Sequence, residues 1–176
     1  MKKLTSIIIL SFISITITSS GEKVVENSEL NFRKNLNSKF TGKYYLINSD
    51  IPYSGKVVSY HENGQIKKSE TYKNGNPHGP YKSYYENGQL WQSGNKDKRG
   101  LIRGSYKRYY ENGQLECSLN IKNMKKVGLF ETYYENGQLK SSCNYKDGER
   151  DGLFERYDKN GQLKSSQNYK DGKLVD

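Results

Sequence analysis

The sequence predicts an all-β protein, folded as an elongated antiparallel meander of tandem β-hairpin repeats. Three observations lead to this fold class. A seven-residue segment occurs in five similar copies at intervals of 24 or 25 residues. Every copy contains Asn-Gly, the dipeptide most typical of a tight hairpin turn. Tyr is the main large apolar residue, with 16 in a chain of 176 residues, and aromatic residues favour strands.

The Asn-Gly turns divide the chain into hairpin units. The segment YHENGQI at 60–66 returns as YYENGQL and finally as YDKNGQL, which places the turns at 63–64, 87–88, 112–113, 136–137 and 160–161. Asn-Gly predicts a type I′ turn, in which both residues adopt positive φ. A Gly lies nine residues before each turn Gly, and in three units another lies eleven residues after it. These glycines predict further corners, so each unit is expected to form two short strands.

Comparison of the five copies separates buried from exposed columns of residues. Two columns are expected to be buried: Val57, Tyr81, Tyr106, Phe130 and Phe154, and Tyr60, Tyr84, Tyr109, Tyr133 and Tyr157. A third apolar column follows the turn: Ile66, Leu90, Leu115, Leu139 and Leu163. The first two columns lie three residues apart, and plain strand alternation would place them on opposite faces. A bulge or strong twist is therefore expected at a position that the sequence does not identify.

The column that follows the second of these is expected to face solvent. It contains Asp158 in the last unit, and a position that accepts Asp is rarely buried. Its aromatic members, Tyr85, Tyr110 and Tyr134, therefore form a predicted exposed row. The predicted partner-binding residues are this row together with four lysines: Lys140, Lys146, Lys164 and Lys170.

The amino-terminal region differs from the repeats. Residues 1–20 predict a cleaved signal peptide, with an uncleaved anchor as the alternative, because Lys2 and Lys3 precede an apolar run that is shorter than the ~20 residues of a membrane span. We therefore expect export to the periplasm, the cell envelope or the medium. Residues 21–41 are interpreted as a linker or amino-terminal cap, and residues 42–176 as the repeat array. Within the array, 42–46 and 51–55 resemble a degenerate leading half-unit.

The net charge narrows the range of partners. The net charge of +10 favours an anionic partner, although the charges are spread along every repeat, as is common for a solubilising surface.

Cys117 and Cys143 fall in different columns of adjacent units. A separation of two residues along a strand and two strands across it exceeds the ~7 Å that a disulfide permits. They are expected to be free and partly buried, with a disulfide as the alternative.

The repeat resembles the MORN-variant repeat family, whose units follow the pattern G-x-[YF]-x-x-Y-Y-x-N-G-Q-L and end in a Y-K-[DN]-G corner. Residues 128–148 and 152–172 match it most fully, and the resemblance extends over about 55–172. The resemblance implies a MORN-like solenoid. Bacterial proteins of this type are often antitoxin-like components of toxin–antitoxin systems, so the resemblance also implies such a role. From the wider MORN family it implies protein scaffolding and contact with acidic phospholipids. The predicted export signal departs from the pattern of a cytoplasmic antitoxin.

No catalytic site is predicted from the residues. His61 and His78 are expected to be surface residues, and neither His nor Cys has the spacing of metal ligands, so no metal and no cofactor are expected. Nucleotide-binding and hydrolase motifs are missing from the sequence. The favoured function is a non-catalytic protein-binding scaffold. The alternative is binding of an anionic membrane surface or cell-envelope polysaccharide; nucleic acid is not expected, and the oligomeric state is not predicted.

Overall fold

The computed structural model of the protein describes residues 16–17, 23–34 and 42–175. The strands are β1 (Thr16–Ile17), β2 (Lys23–Glu26), β3 (Leu30–Lys34), β4 (Gly42–Leu46), β5 (Gly55–Tyr60), β6 (Ile66–Lys73), β7 (Asn76–Tyr84), β8 (Leu90–Lys96), β9 (Ile102–Tyr109), β10 (Leu115–Lys122), β11 (Lys125–Tyr133), β12 (Leu139–Lys146), β13 (Glu149–Tyr157), β14 (Leu163–Lys170) and β15 (Lys173–Val175). Within the described ranges the sole helix is a 3-10 turn at Asn27–Glu29, and no helix there could cross a membrane. The predicted all-β class is confirmed.

The predicted meander is also confirmed. Strands β5 to β15 follow one another in space in chain order, and every neighbouring pair is antiparallel. Together with β2 and β1 they form a sheet of 13 strands. The predicted signal peptide, residues 1–20, lies outside the described residues except for β1. Of the predicted linker or cap, 21–41, the structure describes residues 23–34.

The segments 42–46 and 51–55, which resemble a leading half-unit, meet only in an isolated antiparallel bridge between Tyr45 and Pro52. Strand β4 pairs with β3 in a separate sheet of two strands, and β2 takes the place next to β5 as a parallel neighbour. The small sheet packs on the first unit and closes a hydrophobic cluster of Val25, Leu46, Tyr53, Val57 and Tyr72. A terminal unit of a repeat array needs such a cover, because it has no neighbour on one side.

The Asn-Gly turns, here called the first turns, are not of type I′. In the first of them Gly64 donates to the carbonyl of His61 at 2.9 Å and His61 donates to the carbonyl of Gln65 at 2.8 Å. This is a type I turn followed by a left-handed Gly, with φ of +82° at Gly64. Asn63 avoids positive φ because its side-chain oxygen accepts the backbone N–H of Gln65 at 3.0 Å, which fixes the loop locally.

Type I′ geometry occurs instead at the corners between units, the second turns. Both central residues have positive φ at 74–75, 123–124, 147–148 and 171–172. In the second unit the corner is a longer loop, in which Gly100 donates to the carbonyl of Asp97 at 2.8 Å. The prediction of a corner at the early glycines is wrong. Gly79, Gly104, Gly128 and Gly152 lie within strands, at positions where the register of strand pairing shifts.

A bulge follows every first turn. Ser59 pairs with Lys68 but Tyr60 pairs with Ile66, so Lys67 is an additional residue in β6. The equivalent extra residues are Trp91, Glu116, Lys140 and Lys164. We call the face of the sheet that carries Val57 and its column the inner face, and the opposite one the outer face. The two columns expected in one core thus lie on opposite faces, as plain alternation requires.

Candidate functional site

A continuous apolar stripe runs along the outer face. Each unit places its Tyr directly across from the Ile or Leu that follows the turn, which gives five cross-strand pairs. We call these ten residues the Tyr–Leu stripe: Tyr60, Ile66, Tyr84, Leu90, Tyr109, Leu115, Tyr133, Leu139, Tyr157 and Leu163. It crosses ten strands, and nine strand spacings of ~4.8 Å give it a length of about 43 Å.

The stripe is more accessible than the sequence predicted. Tyr60 is 47% exposed and Leu163 56% exposed, and the remaining Tyr and Leu side chains inside the array are half-buried. The expectation of a buried Tyr column is therefore wrong for Tyr60 and overstated for its equivalents. Strands β7 to β14 make their extensive contacts with neighbours in the same sheet, so in the described part of the chain no second layer covers this column.

A row of serines and charges lies beside the stripe on the outer face. The second strand of each unit contributes a Ser, and the first strand contributes Lys82, Lys107, Glu131 or Glu155 between these serines. We call this the serine row; its serines are Ser69, Ser93, Ser118, Ser142 and Ser166. The charge along the row changes sign at Ser118, from two lysines on one side to two glutamates on the other.

The predicted exposed row of Tyr85, Tyr110 and Tyr134 is half-buried instead. Each hydroxyl donates to a backbone carbonyl of the next unit, at Tyr109, Tyr133 and Tyr157, over 2.8, 2.8 and 2.9 Å. Burial raises the pKa of the Tyr85 and Tyr110 hydroxyls, and the Glu116 carboxylate adds to the rise. These rings join consecutive units, and contact with a partner stays a prediction for them.

The first-turn motif recurs because several of its side chains also reach the next unit. The Asn side-chain amides of 63, 87, 112 and 136 donate to the carbonyls of residues 86, 111, 135 and 159 over 2.7 to 3.0 Å. In the first unit the Nε2 of His61 takes the place of the Tyr hydroxyl and lies 2.9 Å from the carbonyl of Tyr84. In the last unit Asp158 accepts the backbone N–H groups of Asn160 and Gln162 at 2.8 and 2.9 Å.

The four predicted lysines do not form one cluster. Lys140 lies over the ring of Tyr134 at 5.5 Å, and Lys164 holds the equivalent bulge position in the next unit. Lys146 and Lys170 lie six residues further along their strands, about 20 Å away at ~3.3 Å per residue. Lys170 also pairs with Asp151 at 3.1 Å. The seven predicted site residues are therefore divided between the two long edges of the sheet.

These two edges differ in charge: the second turns are mainly basic, whereas acidic and basic side chains nearly balance at the first turns, where Lys67, Lys140, Lys159 and Lys164 are also exposed. The first turns present one acidic side chain per unit in the first four units: Glu62, Glu86, Glu111 and Glu135. The second turns present mainly basic side chains, and the exposed ones are Lys73, Lys98, Arg99, Lys122, Lys125, Lys146, Lys170 and Lys173. The exposed acids at this edge are fewer: Asp147, Glu149 and Asp171. A basic edge of this kind attracts anionic surfaces.

Sequence reasoning missed a buried ionic cluster on the inner face. Glu70, 7% exposed, contacts the ammonium groups of both Lys68, at 2.7 Å, and Lys96. Burial raises the pKa of Glu70, but the hydrogen bonds and charges of the two lysines outweigh it, so the pKa lies below its usual value. Two positions signal the cluster: Lys96 lies where the other units have Tyr72, Ile121, Tyr145 and Tyr169, and Glu70 lies where they have Gly94, Leu119, Cys143 and Gln167.

The remaining inner-face residues serve packing. Phe130 and Tyr145 form an edge-to-face pair with centroids 5.9 Å apart, and Lys126 lies over both rings. Cys117 and Cys143 are free and buried, as expected, and burial raises the pKa of both thiols. In the ranges that the structure describes, no group of three His, Cys, Asp or Glu side chains could hold a metal ion.

Comparison with known proteins identifies the repeat. Five segments match the family model described as MORN repeat variant: residues 53–74, 77–95, 103–123, 126–147 and 150–171. These segments include all five first turns and together cover more than half of the chain. No curated protein matches the chain.

Proposed function

The chain belongs to the MORN repeat variant family, and from this premise we propose that it is a non-catalytic scaffold that binds protein through the outer face of its sheet. MORN repeats are generally associated with binding of proteins or membranes. The observation that carries the proposal is the Tyr–Leu stripe, an accessible apolar surface that continues through all five units. Apolar patches of this extent commonly mark contact surfaces.

The chemistry of the outer face suits a protein partner. Tyr rings bury large apolar areas at low entropic cost, and the flanking serine row supplies a polar rim. Leu153, 48% exposed, and Leu129 extend the apolar surface on the other side of that row. An antitoxin-like role, which the family resemblance implied, would be one form of such binding.

Site-specific photo-crosslinking tests the proposal. A benzoylphenylalanine replaces Leu139 in the stripe, and a matched control replaces Leu119, which is half-buried on the inner face. We expect protein adducts from the Leu139 position in the native host and few from the Leu119 position. Equal labelling from both positions, or no protein adduct from Leu139, would contradict the proposal.

The basic second-turn edge supports a second candidate, attachment to an anionic membrane. Each Lys or Arg close to an anionic surface adds about 1 kcal/mol to binding. We expect flotation with phosphatidylserine vesicles at low salt if this candidate holds. The variant Lys122→Glu/Lys146→Glu should lower that flotation, whereas the stripe variant Leu139→Ser should not. Flotation that is insensitive to the lysine changes would exclude this edge.

We also propose that the chain is exported, supported by Lys2, Lys3 and the apolar residues after them. Cleavage after residue 20 would remove β1 and leave β2 paired with β5 alone. Amino-terminal sequencing of the protein from its native host tests this, and an intact Met1 would contradict it.

A further inference from the structure

The outer face has a charge pattern that is complementary to itself. From β7 to β13 the serine row reads Lys82, Ser93, Lys107, Ser118, Glu131, Ser142 and Glu155. Reversal of this order replaces every lysine by a glutamate and leaves every serine in place. Ser118 on β10 is the centre of the reversal.

We propose that two copies of the chain pack outer face against outer face, related by a two-fold axis that runs along β10. This inference rests on the proposed function and identifies the partner as a second copy. The axis places Lys82 opposite the second copy's Glu155 and Lys107 opposite its Glu131, which gives four opposite-charge contacts. A two-fold interface makes each contact twice, so one complementary surface is sufficient.

The Tyr–Leu stripe obeys the same symmetry. Rotation about β10 places Leu115 opposite Leu115 of the second copy. It also places Tyr109 opposite the second copy's Tyr133 and Leu90 opposite its Leu139, since the two members of each pair are equally distant from β10. Tyr therefore meets Tyr and Leu meets Leu along the stripe. Two sheets that pack face to face interdigitate such rows.

The charges also select this arrangement over the other face-to-face packing. An axis along the length of the array would place Lys82 on Lys82 and Glu131 on Glu131, and like charges directly opposed disfavour a complex. Lys82 and Lys107 are exposed, and Glu131 and Glu155 are half-buried, so all four are accessible for contact. The tyrosine hydroxyl at 157 holds the Glu155 carboxylate at 2.9 Å and orients it.

The dimensions predict a weak dimer. Six strand spacings of ~4.8 Å by three rows of ~6.6 Å give a footprint on the order of 600 Å² per copy. This is near the lower limit for specific interfaces, which bury ~800 Å² per partner in the standard case. Dimer formation should therefore depend on protein concentration.

Two charge-reversal variants test the arrangement. Glu131→Lys/Glu155→Lys makes the row wholly basic, and Lys82→Glu/Lys107→Glu makes it wholly acidic. We expect the wild type to show a concentration-dependent dimer in sedimentation velocity, and each variant alone to dimerise at least about tenfold more weakly. An equimolar mixture of the two variants should restore the dimer. The control Lys43→Glu/Lys98→Glu lowers the net charge by as much as Lys82→Glu/Lys107→Glu, at exposed positions on β4 and in the loop after β8, and should dimerise like the wild type.

Each alternative result overturns the inference. A wild type that stays monomeric up to its solubility limit, variants that dimerise as well as the wild type, or a mixture that stays monomeric would each contradict it. Far-ultraviolet circular dichroism of every variant must match the wild type, which ensures that the comparison concerns folded protein. If the wild type is monomeric while Leu139 still crosslinks to other proteins, the second-copy inference fails and the scaffold proposal stands.

Discussion

Replacement of Glu70 by Gln should destabilise the array in a way that depends on pH. The Glu70 carboxylate lies between the ammonium groups of Lys68 and Lys96, and it is 7% exposed. Loss of one partner from a buried ion pair costs about 3 to 5 kcal/mol. Lys68 has a side chain that is 42% exposed and Lys96 one that is 20% exposed, so water compensates part of the loss. We therefore expect a loss of about 2 to 3 kcal/mol at pH 7.

The sign of the pH dependence follows from the lowered pKa of Glu70. A carboxyl group whose pKa is lower in the folded state binds fewer protons there than in the unfolded state. Its contribution is present in full above the ordinary Glu value and is lost as pH falls through the lower, folded pKa. The gap in unfolding free energy between wild type and Glu70→Gln should thus be constant from neutral pH down to about 5 and narrow at more acidic pH.

Urea denaturation at pH 7, 5 and 3 measures this gap. The control Glu116→Gln removes a carboxylate that pairs with Arg108 but is more exposed than that of Glu70, and it should cost less than about 1 kcal/mol at pH 7. The double variant Glu70→Leu/Lys96→Tyr introduces the residues that other units have at these positions, such as Leu119 and Tyr145. It should be close to wild type in stability, because apolar packing often replaces a buried ion pair without loss. A gap for Glu70→Gln below about 0.5 kcal/mol, or one of equal size at pH 3 and pH 7, would refute the reasoning.

Three further changes test the contacts between units and the second turns. Tyr110→Phe removes the hydroxyl that donates to Tyr133, and a loss of about 1 kcal/mol is expected in urea denaturation; an unchanged midpoint would contradict the role of that bond. Asp158→Ala should cost about 1 kcal/mol because two backbone donors lose their acceptor, whereas Asp158→Asn should keep most of the stability. Met124→Gly should raise the thermal midpoint, since Met124 has φ of +62° and Gly relieves about 1 kcal/mol of strain there; Met124→Ala, which keeps the strain, should show no such rise.

The strand order could be predicted from the sequence, because the Asn-Gly turns at 63–64 and its equivalents recur at a fixed spacing. The turn type could not, because the conformation of Asn63 depends on the hydrogen bond from Gln65 to its side chain. Burial of the Tyr60 column was overestimated for a related reason. Column comparison shows which positions stay apolar, but in a single sheet these positions include a face that no second layer covers.

The candidate site was less predictable than the fold. Tyr85 was assigned to the surface from the single Asp158 in its column, yet Asp158 has a different role in the last described unit, where its carboxylate accepts two backbone N–H groups. Glu70 and Lys96 lie 26 residues apart, so their contact needs the strand pairing to be known. The same holds for Lys82 and Glu155, whose shared row becomes evident only after the bulges are placed.

The hydrogen bonds between first turns have a direction, because each Asn amide donates to the unit that follows it. An interior segment such as 84–108 therefore carries the donors for its successor and the acceptors for its predecessor. Duplication of that segment within a gene would lengthen the protein without the need for any compensating substitution. A copy of the final unit inserted in the interior would lack the Tyr donor at the place of Asp158, so growth by duplication is favoured in the middle of the chain.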